Sequence, residues 1–148
     1  MNIRLATRDD ARYFVEFNQA MAFETEGKTL DENVVDAAVN AVFDDPNKGF
    51  YIVAEDVDTV VGGLMITFEY SDWRNAWFWW IQSVFIRNEA RGKRIYSQLY
   101  EFVKVLAKED GNVYGIRLYV ETENLHAQRV YEKVGMEQSH YIMYHEML

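Results

Sequence analysis

Arg87, Arg91, Lys93 and Arg94 fall within eight consecutive positions of a chain whose formal net charge is -9. A basic knot in an acidic protein suits an anionic ligand, and a solvated surface cluster satisfies the same pattern. Val84-Phe85-Ile86 ends an apolar run, a polar loop follows, and Gly92 precedes an amphipathic stretch with helical spacing. The first N–H groups of a helix have no acceptor inside it, and the helix dipole adds positive potential there. Gly92 allows close backbone approach. Together these make an anion site suited to a pyrophosphate. A basic helix start with one glycine is also common where nothing binds, so the segment needs support from the rest of the chain.

The elements that must position it follow from periodicity. Ile3-Arg4-Leu5 predicts a short strand. Thr7 is a plausible N-cap for a helix carrying Phe14, Phe17 and Met21, which breaks over residues 24–29. A second helix is expected over 31–43, with Val34, Val35, Ala38, Val39 and Val42 on one side. Residues 50–54 and 60–68 flank the short turn Asp56-Val57-Asp58 and predict an antiparallel hairpin. Aromatic and β-branched residues over 77–86 predict a strand. There Trp77 and Trp79 share one face, Phe78 and Trp80 the other, so both faces are aromatic and one suits an acceptor pocket or a subunit interface. A helix over 92–108, a strand over 116–120, a helix over 124–133 stopped by Gly135, and a strand over 140–147 complete the chain. The predicted order is β-α-α-β-β-β-α-β-α-β.

The 148 residues suit one domain, and nearly half are apolar, enough for a core without crosslinks. There is no cysteine, which removes disulfides, cysteine-ligated zinc and a thiol nucleophile. His126, His140 and His145 lack metal-ligand spacing, so no metal is expected. The acidic balance disfavours nucleic acid and anionic membrane surfaces and favours cationic solutes. No signal-peptide pattern or membrane span is evident, and a cytoplasmic location is expected.

The second informative stretch is Asn124-Leu125-His126-Ala127-Gln128-Arg129-Val130-Tyr131-Glu132-Lys133-Val134-Gly135-Met136, preceded by the apolar run Leu118-Tyr119-Val120. Asn124, Ala127, Tyr131, Gly135 and Met136, together with Arg91-Gly92 upstream, resemble the paired motifs of the GCN5-related N-acetyltransferase (GNAT) superfamily. The order of elements is similar along nearly the whole chain. The resemblance implies the GNAT fold, a mixed α/β domain with a mostly antiparallel twisted sheet flanked by helices. It also implies acetyl transfer from acetyl-CoA, as cosubstrate, to a small-molecule amine by direct attack in a ternary complex.

Roles follow residue by residue. Backbone groups of Val84, Phe85 and Ile86 pair with the pantetheine arm like an added strand. Arg91, Gly92, Lys93, Arg94, Ile95, Tyr96 and Ser97 hold the pyrophosphate. Asn124 hydrogen-bonds the cofactor arm, with Ala127 beside it, and Tyr131 protonates the leaving thiolate. Arg94 and Tyr96 stand where the family has glycines, which puts the local geometry around Tyr96 in question. In the spermidine/spermine acetyltransferase branch, which residues 70–73 also resemble, a Glu stands on the strand before the pantetheine-binding residues; the matching residue here is Gln82. Glutamine cannot be a base but can orient water, with the proton passing to Glu24, Glu26, Glu69 or Glu121. Glu24 and Glu26 are expected in the loop between the first two helices. The acceptor implied is cationic, of polyamine type, and the protein a homodimer. An O-acetyltransferase and a non-catalytic acyl-CoA-binding module are the alternatives.

Overall fold

The computed structural model describes residues 1–148. They form two units, Met1–Leu118 and Tyr119–Leu148. The first unit runs through β1 (Asn2–Leu5), a 3-10 turn (Arg8–Asp10), α1 (Ala11–Glu26), α2 (Glu32–Asp44), β2 (Phe50–Asp56), β3 (Thr59–Ser71), β4 (Ala76–Ile86), a second 3-10 turn (Asn88–Ala90), α3 (Ile95–Asp110) and β5 (Val113–Arg117). The strands make one sheet in chain order, β1-β2-β3-β4-β5. The first three pairings are antiparallel and β4–β5 is parallel. The expected mixed sheet flanked by helices is therefore present.

Alternation along the strands splits the core into two layers. Tyr51 and Val53 face α1 and α2, where the Phe14 ring stacks on Tyr51 at 4.0 Å and Phe17 meets Phe85 at 5.1 Å. Ile52, Ala54, Leu64 and Ile66 belong to the other face and are fully buried. There α3 supplies Ile95, Leu99 and Val103, also fully buried. The hairpin from β2 to β3 turns on Val57 and Asp58, both left-handed at φ 43 and 63, the handedness that matches strand twist in a two-residue turn. At the first strand, Arg4 grips the buried Asp10 at 2.7 and 3.1 Å, and the Thr7 N–H donates to the same carboxylate. Burial pushes the Asp10 carboxyl up, but the Arg4 and Thr7 hydrogen bonds outweigh it and leave its pKa below the usual value.

Several boundaries differ from the periodicity. Helix α1 does not stop before Glu24 but runs to Glu26, because Gly27 at φ 63 ends it with an N–H bond to Phe23. Glu24 and Glu26 are therefore helical rather than in a loop. In α2 the buried stripe is narrower than expected: Val35, Val39 and Val42 are buried while Val34 is exposed. Helix α3 starts at Ile95 rather than at Gly92, since Gly92 and Arg94 both hold positive φ. Strand β5 begins three residues early, at Val113, because its register is set by pairing with Trp77 to Trp80 of β4.

In the second unit, α4 (Leu125–Lys133) forms where a helix over 124–133 is expected, with Asn124 as its N-cap rather than its first residue. The Asn124 side chain accepts from Ala127 N–H, and Gly135, at φ 100, closes the other end by donating to Glu132. The strand expected over 140–147 is not formed, and the element order ends with α4. A strand is held by a neighbour's ladder and by burial of one face. Neither is present, since Tyr141, Ile142, Met143 and Tyr144 are all exposed whichever way they alternate.

Candidate active site

Strand β4 changes character along its length. Its register with β3 runs without interruption from Ala76 to Gln82, then shifts before Phe85. The irregularity is Ser83, which adopts φ 52 inside the strand and makes a β-bulge. On the other edge, β5 pairs only with Trp77 to Trp80, ending at Arg117. Beyond that point no strand continues the ladder.

Backbone polarity on the open part can be assigned. The Arg87 N–H donates to Val61 on β3, so by alternation Phe85 also addresses β3, while Val84 and Ile86 point their N–H and C=O to the open edge. The Ile86 carbonyl there accepts from Arg91 Nε at 2.9 Å. The edge offered to a ligand is thus Val84 and the Ile86 N–H. Phe85 contributes a buried ring that supports the edge from behind.

The loop after β4 leads into α3 through two left-handed residues, Gly92 at φ 80 and Arg94 at φ 61. A side chain added at Gly92 would meet nothing within 4 Å, so the backbone there is open. The first intrahelical bond of α3 is Gln98 N–H to Arg94 carbonyl, which leaves Ile95 and Ser97 N–H groups aimed out of the helix start. Lys93 and Arg94 are exposed and outside any ion pair. Tyr96, where a glycine is usual in the resembling motif, turns its ring into the core and stacks on Tyr100 at 6.1 Å. The bulky residue does not fill the loop.

The basic knot is partly committed within the fold. Arg87 pairs with Glu16 on α1 at 2.6 and 3.2 Å and donates to the Val60 carbonyl. Arg91 pairs with Glu24 at 2.9 Å, and its guanidinium lies 5.6 Å from the Phe85 ring centre. Glu24 is therefore brought to the anion loop, held by a cation. Gln82 donates from Nε2 to Thr67 Oγ at 2.7 Å, which fixes its amide and leaves its oxygen as an acceptor. Glu69 accepts from Trp80 Nε1 at 2.7 Å and from Arg117 at 3.1 Å, so it too is engaged. Glu26 lies 3.7 Å from Lys28, and Glu121 is exposed in the second unit.

Within that second unit, Asn124 and Ala127 are joined by the cap bond at 3.1 Å. Tyr131 is half-buried on α4, and burial raises its hydroxyl pKa above the ordinary value. Three features escaped the sequence: the Ser83 bulge, the Arg87–Glu16 pair, and the Glu69–Trp80–Arg117 network with Arg117 stacked 3.5 Å over Phe78. Nothing in the local residue pattern marks any of them. No group of three or more His, Cys, Asp or Glu is placed to hold a metal, and no helix is long and apolar enough to cross a membrane.

Comparison with known proteins identifies the family and the fold. The acetyltransferase (GNAT) family model matches residues 9–136. A solved structure described as a possible acetyltransferase from Clostridium difficile 630 is 43% identical, with TM-score 0.92, covering 99% of this chain and 97% of that one. A transcriptional regulator from Bacillus halodurans C-125 is 27% identical, with TM-score 0.82 and 99% of each chain covered. A ribosomal-protein-alanine N-acetyltransferase from Brucella melitensis biovar Abortus 2308, at 15% identity, shares the fold, with TM-score 0.81 over 100% of both chains. No curated protein matches by sequence.

Proposed function

Because the chain belongs to the acetyltransferase (GNAT) family, we propose that it transfers an acetyl group from acetyl-CoA to a primary amine, by direct attack in a ternary complex. The observation that carries this reading is the half-open β4, whose free edge leads straight into a basic loop and a helix start. Acetyl-CoA, when bound, supplies a thioester with an activated carbonyl and a thiol leaving group. The residues present fit it. Val84 and the Ile86 N–H can pair with an extended amide-bearing arm. The Ile95 and Ser97 N–H groups, with Lys93 and Arg94, suit its phosphates. Arg91 joins them by exchanging Glu24 for a phosphate oxygen.

The remaining roles rest on the motif. Tyr131 serves as general acid for the departing thiolate, its hydroxyl supplying the proton. Asn124 and Ala127 complete the cofactor contacts. Gln82, fixed by Thr67, orients the water that relays the amine proton, and a backbone N–H on the open edge steadies the developing oxyanion. The net charge of -9 favours a cationic acceptor of polyamine type. Exposed Tyr70 and Trp73 at the β3–β4 hairpin favour a homodimer.

The test is thiol release from acetyl-CoA across polyamines, amino acids, aminoglycosides and peptide N-termini. Turnover with a cationic amine, with KM rising as salt is added, is expected. Tyr131→Phe should lower kcat by about 10²–10³-fold and leave acetyl-CoA affinity within a few-fold. A chain that acetyl-CoA stabilises but that acetylates no amine would be a binding module, and the catalytic reading would fall.

A further inference from the structure

A second cleft lies at the opposite end of β4 from the open edge. Trp77 and Val84 are seven residues apart along the strand, roughly 23 Å at strand rise. The cleft is open to solvent and has a volume of about 940 Å³, within the range of small-molecule sites. Its wall is aromatic. Phe50 meets Trp79 at 5.3 Å and 77°, and Phe68 meets Trp77 at 6.5 Å and 79°. Phe50, Phe68, Trp77 and Trp79 all line the cleft. Trp77 is 39% exposed, so its ring is available to a ligand.

The rim is negative. Glu109 and Asp110 line the cleft, both exposed, and no lysine or arginine lines it. They form the last turn of α3, whose C-terminal carbonyls add negative potential at the same place. Lys108, in that turn, is not part of the lining. A purely apolar occupant gains nothing from the carboxylates, and an anion is repelled by them. A cation with alkyl groups uses both halves, its charge against the carboxylates and its methyl or methylene groups against ring faces.

From this arrangement we infer that the cleft is a binding site for a small aliphatic ammonium ion, separate from the proposed acetyl-transfer site. The charge of the ligand is set by Glu109 and Asp110, and its apolar shape by Phe50, Phe68, Trp77 and Trp79.

The experiment uses the full chain, with choline as the probe and 3,3-dimethylbutan-1-ol, its uncharged isostere, as control. Binding is followed by tryptophan fluorescence and calorimetry. Choline should saturate with a Kd of about 1 mM or below, and the isostere should bind about tenfold more weakly or not at all. The double variant Glu109→Gln/Asp110→Asn, both exposed positions, should weaken choline by about tenfold. Trp77→Leu should weaken it as well. Equal binding of the isostere, no saturation by choline, or binding undiminished in the double variant would each overturn the inference. The thermal shift given by acetyl-CoA, measured in the same double variant, should be unchanged. That arm reports on the proposed function alone, so the two readings fail separately.

Discussion

The two ends of β4 differ in what they leave free. Residues 77–80 are bonded to β3 on one edge and to β5 on the other. Their backbone is consumed, and only side chains remain to define a surface: an aromatic cleft wall on one face, and on the other Phe78 under Arg117. Residues 84–86 are bonded on one edge only, past a bulge at Ser83. Both segments are apolar and aromatic in sequence, so composition does not separate them. The difference is in hydrogen bonding. An unpaired strand edge inside a domain is costly unless something pairs with it, which is why the open half suits an amide-bearing arm and the closed half does not. Changes at the closed end should therefore cost stability, and changes at the open end should cost affinity.

The largest effect is expected at the closed end. The Phe78 ring is buried, lies 3.5 Å beneath the Arg117 guanidinium and meets Tyr114 edge-on at 5.6 Å. Phe78→Ala should destabilise the protein by about 3 kcal/mol, near the low end for buried phenylalanines. Urea unfolding measures it. Acetyl-CoA affinity of the folded protein should not change, and a parallel loss of affinity would mean that the two ends are coupled.

Gly92→Glu should do the reverse. The position sits at φ 80 with open space around it, so the new side chain meets no steric block but is held in a left-handed conformation. That costs about 1–2 kcal/mol in stability. The added carboxylate at the anion loop should weaken acetyl-CoA by about tenfold to a hundredfold, since a like charge replaces a free approach. Calorimetric titration reads this directly. Affinity within twofold of the parent chain would place the phosphates elsewhere.

What could be read in advance follows the range of the forces involved. Short-range signals served well. The β2–β3 hairpin follows from two runs around a short turn, and α4 from its helical run with Gly135 as stop. Interactions between distant residues were not legible. In the sequence Arg87 belongs to a basic cluster, but its partner Glu16 lies 71 positions away. The sequence offers Glu24 as a proton acceptor in a loop, and only the left-handed Gly27 after it, with the Arg91 pair, shows that it is helical and engaged. The β5 boundary is set by a parallel neighbour rather than by its own residues. The strand expected over 140–147 has the residue types of a strand but no ladder partner. At the site itself, the motifs indicated Val84 to Ile86 and Arg91 to Ser97. They gave no sign of the bulge that decides which of those backbone groups face outward.

That bulge gives the smallest and most discriminating test. Ser83 holds φ 52 in the middle of a strand. A non-glycine residue in the left-handed region costs about 1–2 kcal/mol. Glycine removes that strain, but its freer unfolded chain costs about 0.5–1 kcal/mol in return. Ser83→Gly should therefore raise stability by a net of about 0.5–1 kcal/mol, or about 1–4 °C in Tm for a chain of this size. Ser83→Ala keeps the strained backbone and should gain nothing. If the bulge serves only to turn Val84 and Ile86 toward the open edge, glycine preserves it and acetyl-CoA affinity is unchanged. If affinity falls while Tm rises, the restricted backbone at Ser83 is holding the edge in its binding geometry, and the strain is part of the site. A fall in Tm would mean that the left-handed conformation is not strained in this setting, and the open half of β4 would need another explanation.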